Sequence, residues 1–218
     1  MRIVVKTKTA QSSDPIRITS SNVIVKSRPM RVLDFDIENR PLSYLGSDFT
    51  TAEVTAIAWA WCDQPDVTVY LLGEHELSYI LTLFVDAYNE ADMVTGHYIT
   101  GHDLPMINGA LMECRMPPLS EKLVCDTKTH LLRSKGMSLS QESLGAMFRL
   151  DYEKVQMNQS KWRAANRLTP EGLSEVRKRV TGDVMQHIAL RRELLELGYL
   201  SPACKWSGGG AKVESYTP

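Results

Sequence analysis

Residues Arg31 to Asn39 read R-V-L-D-F-D-I-E-N, an apolar run interrupted at every second position by a carboxylate. In an extended strand alternate side chains face opposite ways, so Asp34, Asp36 and Glu38 share one face while Leu33, Phe35 and Ile37 share the other. Three like charges in a row repel, and a carboxylate buried without a partner is costly. Such a row is either a solvated strand face or a site neutralised by cations. Mg2+ and Mn2+ are the hard ions that prefer carboxylate oxygens.

Outward from this strand, Arg40-Pro41 is a stop. Glu53 to Trp61 and Val67 to Leu72 read as two further strands with turn residues Asp63 to Asp66 between them, which predicts an antiparallel meander. The period then changes: Leu77, Ile80, Leu81, Phe84, Val85 and Tyr88 recur at helical spacing within Glu74 to Asn89. Met93 to Thr95 is a short fourth strand, Leu104 to Cys114 a helix ending before Pro117-Pro118, and Leu123 to Asp126 a fifth strand. Ser138-Leu-Ser-Gln141 has the form of a capping box and predicts a helix to about Phe148. Asp151 to Ala165 carries no pattern. Thr169-Pro170 opens a long apolar-striped helix through Leu197, with Gly198 as its stop. The expectation is an α/β domain over residues 30–200, a mixed five-stranded sheet flanked by helices with the acidic strand central. Residues 1–29 read as an extension containing a small β-hairpin, and residues 201–218, with Gly208-Gly209-Gly210, as a flexible tail.

At 218 residues and 43% hydrophobic, the chain can build one well-packed core rather than two. No apolar run approaches the roughly 20 residues that span a bilayer, and the start M-R-I-V-V-K-T-K-T lacks a signal-peptide pattern, so a cytoplasmic protein is expected. Cys62, Cys114, Cys125 and Cys204 form no C-x-x-C pair, so neither a zinc cluster nor a disulfide framework is indicated and they read as reduced packing residues. Charge is unevenly spread. Residues 1–31 hold seven basic side chains against one acidic, net +6; residues 32–148 hold six against seventeen, net -11; residues 149–192 hold ten against five, net +5. Basic flanks around an acidic middle suit a nucleic-acid enzyme whose catalytic acids cannot themselves attract phosphate, although solvated helices produce similar fluctuations.

Two further stretches join the first in a recognisable order. G-H-Y-I-T-G-H-D-L-P, Gly96 to Pro105, places Asp103 where a strand gives way to a helix, and R-V-T-G-D-V-M-Q-H, Arg179 to His187, places Asp183 inside the late helix. Together with F-D-I-E-N-R-P-L these resemble the three exonuclease motifs of the DnaQ-like, or DEDD, superfamily of 3′-to-5′ exonucleases, which has a ribonuclease H-like fold. The resemblance covers roughly residues 30–198, with Tyr98 where the second motif commonly has Asn and His102 where it has Phe. The final motif is similar to versions in bacteriophage and actinobacterial exonucleases, which would place the protein in the host cytoplasm if its source is a phage.

The resemblance implies two divalent ions, Mg2+ or Mn2+, roughly 3.5 to 4 Å apart, one activating water and the other stabilising the leaving 3′ oxygen. Asp36 would bridge them, Glu38 and Asp183 would hold the water-activating ion, and Asp103 would serve the second. Asp34 has no counterpart in the family. The family usually carries a Tyr four residues before the last Asp or a His five before it; here those positions are Arg179 and Lys178, neither a base at neutral pH. Three readings compete: metal-bound water ionises unaided, another residue such as His187 serves as the base, or the enzyme is weak or inactive; a hydrogen-bonded structural His187 is the plainer reading. The substrate implied is the 3′ end of single-stranded DNA, with RNA as an alternative. Tyr98, Lys154, Trp162, Lys178 and Arg179 are candidates for phosphate contact and base stacking, against the alternative of a solvated basic face with Trp162 in the core.

Overall fold

The structure, a computed structural model, describes residues 28–42, 49–152 and 155–208. The two-residue period of the opening stretch becomes strand β1 (Val32–Pro41), whose two faces enter two different cores. Leu33, Phe35 and Ile37 are buried with Ile57, Trp59, Leu81, Phe84, Leu104 and Ile107. The carboxylates face the opposite layer.

The chain continues through β2 (Ala52–Trp61), β3 (Gln64–Leu71), α1 (Leu77–Glu90), β4 (Met93–Gly96), α2 (Asp103–Glu113), β5 (Lys122–Asp126), α3 (Gln141–Met147), α4 (Gln159–Asn166), α5 (Pro170–Glu196) and β6 (Cys204–Trp206). The sheet order is β3-β2-β1-β4-β5-β6. The meander β1-β2-β3 is antiparallel, β1, β4 and β5 are parallel, and β6 runs antiparallel to β5. The acidic strand is therefore central, and the fold is a mixed α/β sheet with flanking helices.

Strand β2 explains how a helix can lie directly over the acidic face. Ile57 and Trp59 point into the first core, whereas Ala56, Ala58 and Ala60 form the floor beneath Val176, Val180, Val184 and Ile188 of α5. In register, Glu38 stands opposite Ala56, Asp36 opposite Ala58 and Asp34 opposite Ala60. The methyl side chains let α5 approach, and each branched residue it buries contributes about 1.5–3 kcal/mol. Helix α5 starts at a Thr169 cap, whose hydroxyl accepts the Gly172 N–H at 3.2 Å, with Pro170 at the first helical position. Gly198, at φ +75°, ends it in the left-handed conformation that glycine adopts without strain.

Three expectations are corrected. The sheet has six strands among the described residues, because Cys204–Trp206, expected in a flexible tail, pairs with Lys122–Val124. Three residues are too few to show a period, yet they satisfy the open edge of β5. The cap of α3 is Ser140, which accepts the Ser143 N–H at 3.1 Å, rather than Ser138. Gln141 does not reach back as in a capping box; its amide donates to the Asp183 carbonyl at 2.8 Å. Finally, the unpatterned segment before α5 contains α4, capped by Asn158, a helix that buries only Ala165 and so shows no apolar stripe. The hairpin expected within residues 1–29 falls almost wholly outside the described residues, as does the end of the tail from residue 209. No described helix is long and apolar enough to cross a membrane.

Candidate metal centre

Two residues apart on β1, Asp36 and Glu38 project from the same face, and α5 brings Asp183 down onto them between Val180 and Val184. One carboxylate oxygen from each of the three lies within 4.8 Å of the other two. Asp183 is only 3% exposed. Carboxylates this close require positive charge nearby. In the structure Arg179, one helical turn before Asp183, supplies it. Its Nε donates to Glu38 Oε1, Nη2 lies 3.8 Å from Asp183 Oδ2, and Nη1 donates to the Val155 carbonyl at 3.0 Å. The guanidinium carbon is 5.3 Å from the centre of the Trp162 ring, which α4 places alongside. Burial disfavours the charge on Arg179, but the Glu38 and Asp183 carboxylates outweigh it and raise its pKa further.

Asp103 lies outside this group of three. It is the buried first residue of α2, and its Oδ1 accepts the Ile37 N–H at 3.2 Å, beyond the point where β4 stops pairing with β1 at Asp34 and Thr95. Burial, reinforced by the charges of Asp126 and Glu38, pushes its carboxyl up to about 7 against the Ile37 and Asp103 backbone donors. A bound cation would shift this balance toward the ionised form.

Asp34, which the sequence leaves without a role, is fully buried, and its Oδ2 lies 2.5 Å from His187 Nδ1. Burial pushes its carboxyl up, while His187 and then Arg191 oppose the shift. His187 Nε2 is 2.8 Å from Thr127 Oγ1, which in turn is 3.0 Å from His97 Nδ1. The structure thus brings His187 to Asp34 and Thr127 rather than to the three carboxylates. Both ring nitrogens are engaged and the residue is 2% exposed.

Sequence reasoning missed Asp126. Its fully buried carboxylate accepts the Tyr98, Thr100, Lys128 and Thr129 backbone N–H groups at 2.9, 3.0, 2.9 and 3.2 Å and the Thr100 hydroxyl at 2.5 Å. Burial alone would raise its pKa, but these bonds together hold it below the usual carboxylate range. The only available signal was an acid at the end of a predicted strand followed by Thr-Lys-Thr. The turns it ties present Tyr98, at φ 69° and 41% exposed, with Lys128 Nζ 4.0 Å from the ring centre. Of the other candidates, Lys178 is exposed and paired with Glu175 at 3.1 Å, Trp162 is packed partly into the core beneath α5, and Lys154 lies outside the described residues.

No family model matches the sequence, and no curated protein sequence matches it. Solved structures do share the fold. One is the family B DNA polymerase from the hyperthermophilic archaeon Pyrobaculum calidifontis, at 18% sequence identity and a TM-score of 0.58 over 77% of this chain. The match spans 25% of that polymerase's chain. The shared architecture is compatible with the ribonuclease H-like fold expected from the sequence motifs.

Proposed function

We propose that the chain is a metal-dependent 3′-to-5′ exonuclease acting on single-stranded DNA. The observation that carries this reading is the convergence of Asp36, Glu38 and Asp183 within 4.8 Å on a central strand beneath one helix. The donor set suits a hard divalent ion, since three carboxylates offer only oxygen and, among the described residues, no sulfur or imidazole joins the group. Asp36, Glu38 and Asp183 would hold Mg2+ or Mn2+, with Asp103 alongside. When bound, such ions supply an activated water and charge stabilisation at the leaving oxygen. The fold shared with part of a DNA polymerase supports a nucleic-acid substrate.

The chain's own residues then position rather than transfer protons. Asp103 fixes the backbone of β1 at Ile37, next to the Asp36 and Glu38 carbons, so the acids keep their geometry. Asp34 and His187 tie α5 to β1 one turn beyond Asp183. Tyr98 offers a ring and Lys128 a charge for a strand end, a combination suited to stacking and phosphate contact. Arg179 cannot accept a proton, so it does not replace the Tyr or His of related enzymes as a base.

The Arg179–Glu38 pair specifically favours a second reading, a nucleic-acid-binding module that does not cut. Incubating single-stranded DNA, duplex DNA and RNA with the protein, with and without Mn2+, separates the two. Shortening from the 3′ end that EDTA abolishes supports the nuclease. Retention of every strand uncut despite binding supports the module. Preferential loss of RNA would redirect the substrate assignment.

A further inference from the structure

Arg179 lies directly against the carboxylate group. Its Nε is bonded to Glu38 and its Nη2 faces Asp183, so one permanently charged group already neutralises two of the three acids. The same guanidinium has two ties outside the group, the Val155 carbonyl at 3.0 Å and the Trp162 ring at 5.3 Å, the latter within the roughly 6 Å reach of a cation–π contact. Gly172 makes this second seat possible. A Cβ there would lie 2.3 Å from the Ala164 backbone, so glycine lets α4, and Trp162 with it, press against α5.

Resting on the metal-site reading above, we propose that Arg179 is a resident cation that competes with divalent metal for Glu38 and Asp183, and that metal enters only as the guanidinium moves off Glu38 toward Trp162. The acids cannot bond fully to both. With Arg179 in place, the repulsion among Asp36, Glu38 and Asp183 is eased without metal. With Arg179 displaced, its planar donor fork stays beside the centre, where it suits a substrate phosphate. The residue thus links occupancy of the centre to the availability of a phosphate-binding group.

Mn2+ binding to the full chain, measured by the loss of the free-ion paramagnetic resonance signal, tests this without reference to activity. Arg179→Met, which keeps the aliphatic stem and drops the charge, is expected to bind Mn2+ about 10- to 100-fold more tightly than wild type, the scale of losing one charged hydrogen-bonded competitor. Arg179→Gln serves where the methionine variant does not fold. The thermal midpoint of either variant should be lower without metal, and should rise more on adding Mn2+ than that of wild type. Asp183→Asn should remove the tight site in both backgrounds. Equal Mn2+ affinity in wild type and the Arg179 variants, with Asp183→Asn still lowering it, overturns the competition and leaves the metal centre standing. Absence of Mn2+ binding in every protein overturns both.

Discussion

Ala58 of β2 stands directly opposite Asp36 of β1, on the face that α5 covers. The smallness of Ala58 is what allows a helix carrying Asp183 to approach a strand carrying Asp36. Ala58→Leu should therefore cost about 1–3 kcal/mol by overpacking, read as a lower urea midpoint, and should also weaken Mn2+ binding by separating the acids. Unchanged Mn2+ affinity in a folded Ala58→Leu protein would detach the centre from this packing.

The Asp34–His187 pair makes a separate prediction. Removing one partner of a buried hydrogen-bonded pair leaves the other unsatisfied, so His187→Ala should cost about 1–3 kcal/mol in denaturant unfolding. Asp34→Asn, which keeps a hydrogen-bonding side chain, should cost less, and the double variant less than the sum of the two. Additive losses would show that the two residues do not act as a unit.

Gly172→Ala sets two effects against each other. Helix propensity alone favours alanine by about 1 kcal/mol. The added Cβ, however, would meet the Ala164 carbonyl carbon at 2.3 Å, so the variant should lose about 1–3 kcal/mol and shift Trp162 fluorescence as α4 moves. A gain in stability would contradict the packing described.

Burial, with the charge of His187 second, pushes His97 from its ordinary 6.5 down to about 4. The folded protein keeps this ring neutral while the unfolded chain takes up a proton below 6.5, so its contribution is fully present above that pH. The contribution is lost as pH falls toward 4, at up to about 1.4 kcal/mol per unit. His97→Gln cannot titrate, so between pH 7 and 5 wild type should lose more stability than the variant. Parallel pH–stability curves would refute the assignment.

Much of this arrangement is legible in the sequence because it rests on period and order. The alternation of Leu33 to Glu38 fixes which residues face which core, and the helical spacing of Val176, Val180 and Val184 places Asp183 on the inward side. What escapes is set by tertiary partners. His187 carries no sign that its ring meets Asp34, 153 positions earlier, and Asp126 shows nothing of the four backbone N–H groups that converge on it. Helix α4 hides because its partner is a glycine in α5 rather than an apolar stripe of its own. Strand β6 hides because three residues carry no period.

The proposed exonuclease depends on Asp36, Glu38 and Asp183 acting together as a metal centre that cuts nucleic acid from a 3′ end. Its most direct test follows a 5′-labelled single-stranded DNA through time with wild type and with Asp36→Asn/Glu38→Gln in Mn2+. Wild type should give a ladder shortening one nucleotide at a time, and the double variant should lose about a thousandfold in rate, several kcal/mol of barrier. A double variant that degrades the strand as fast as wild type, or a wild type that leaves it intact, would contradict it.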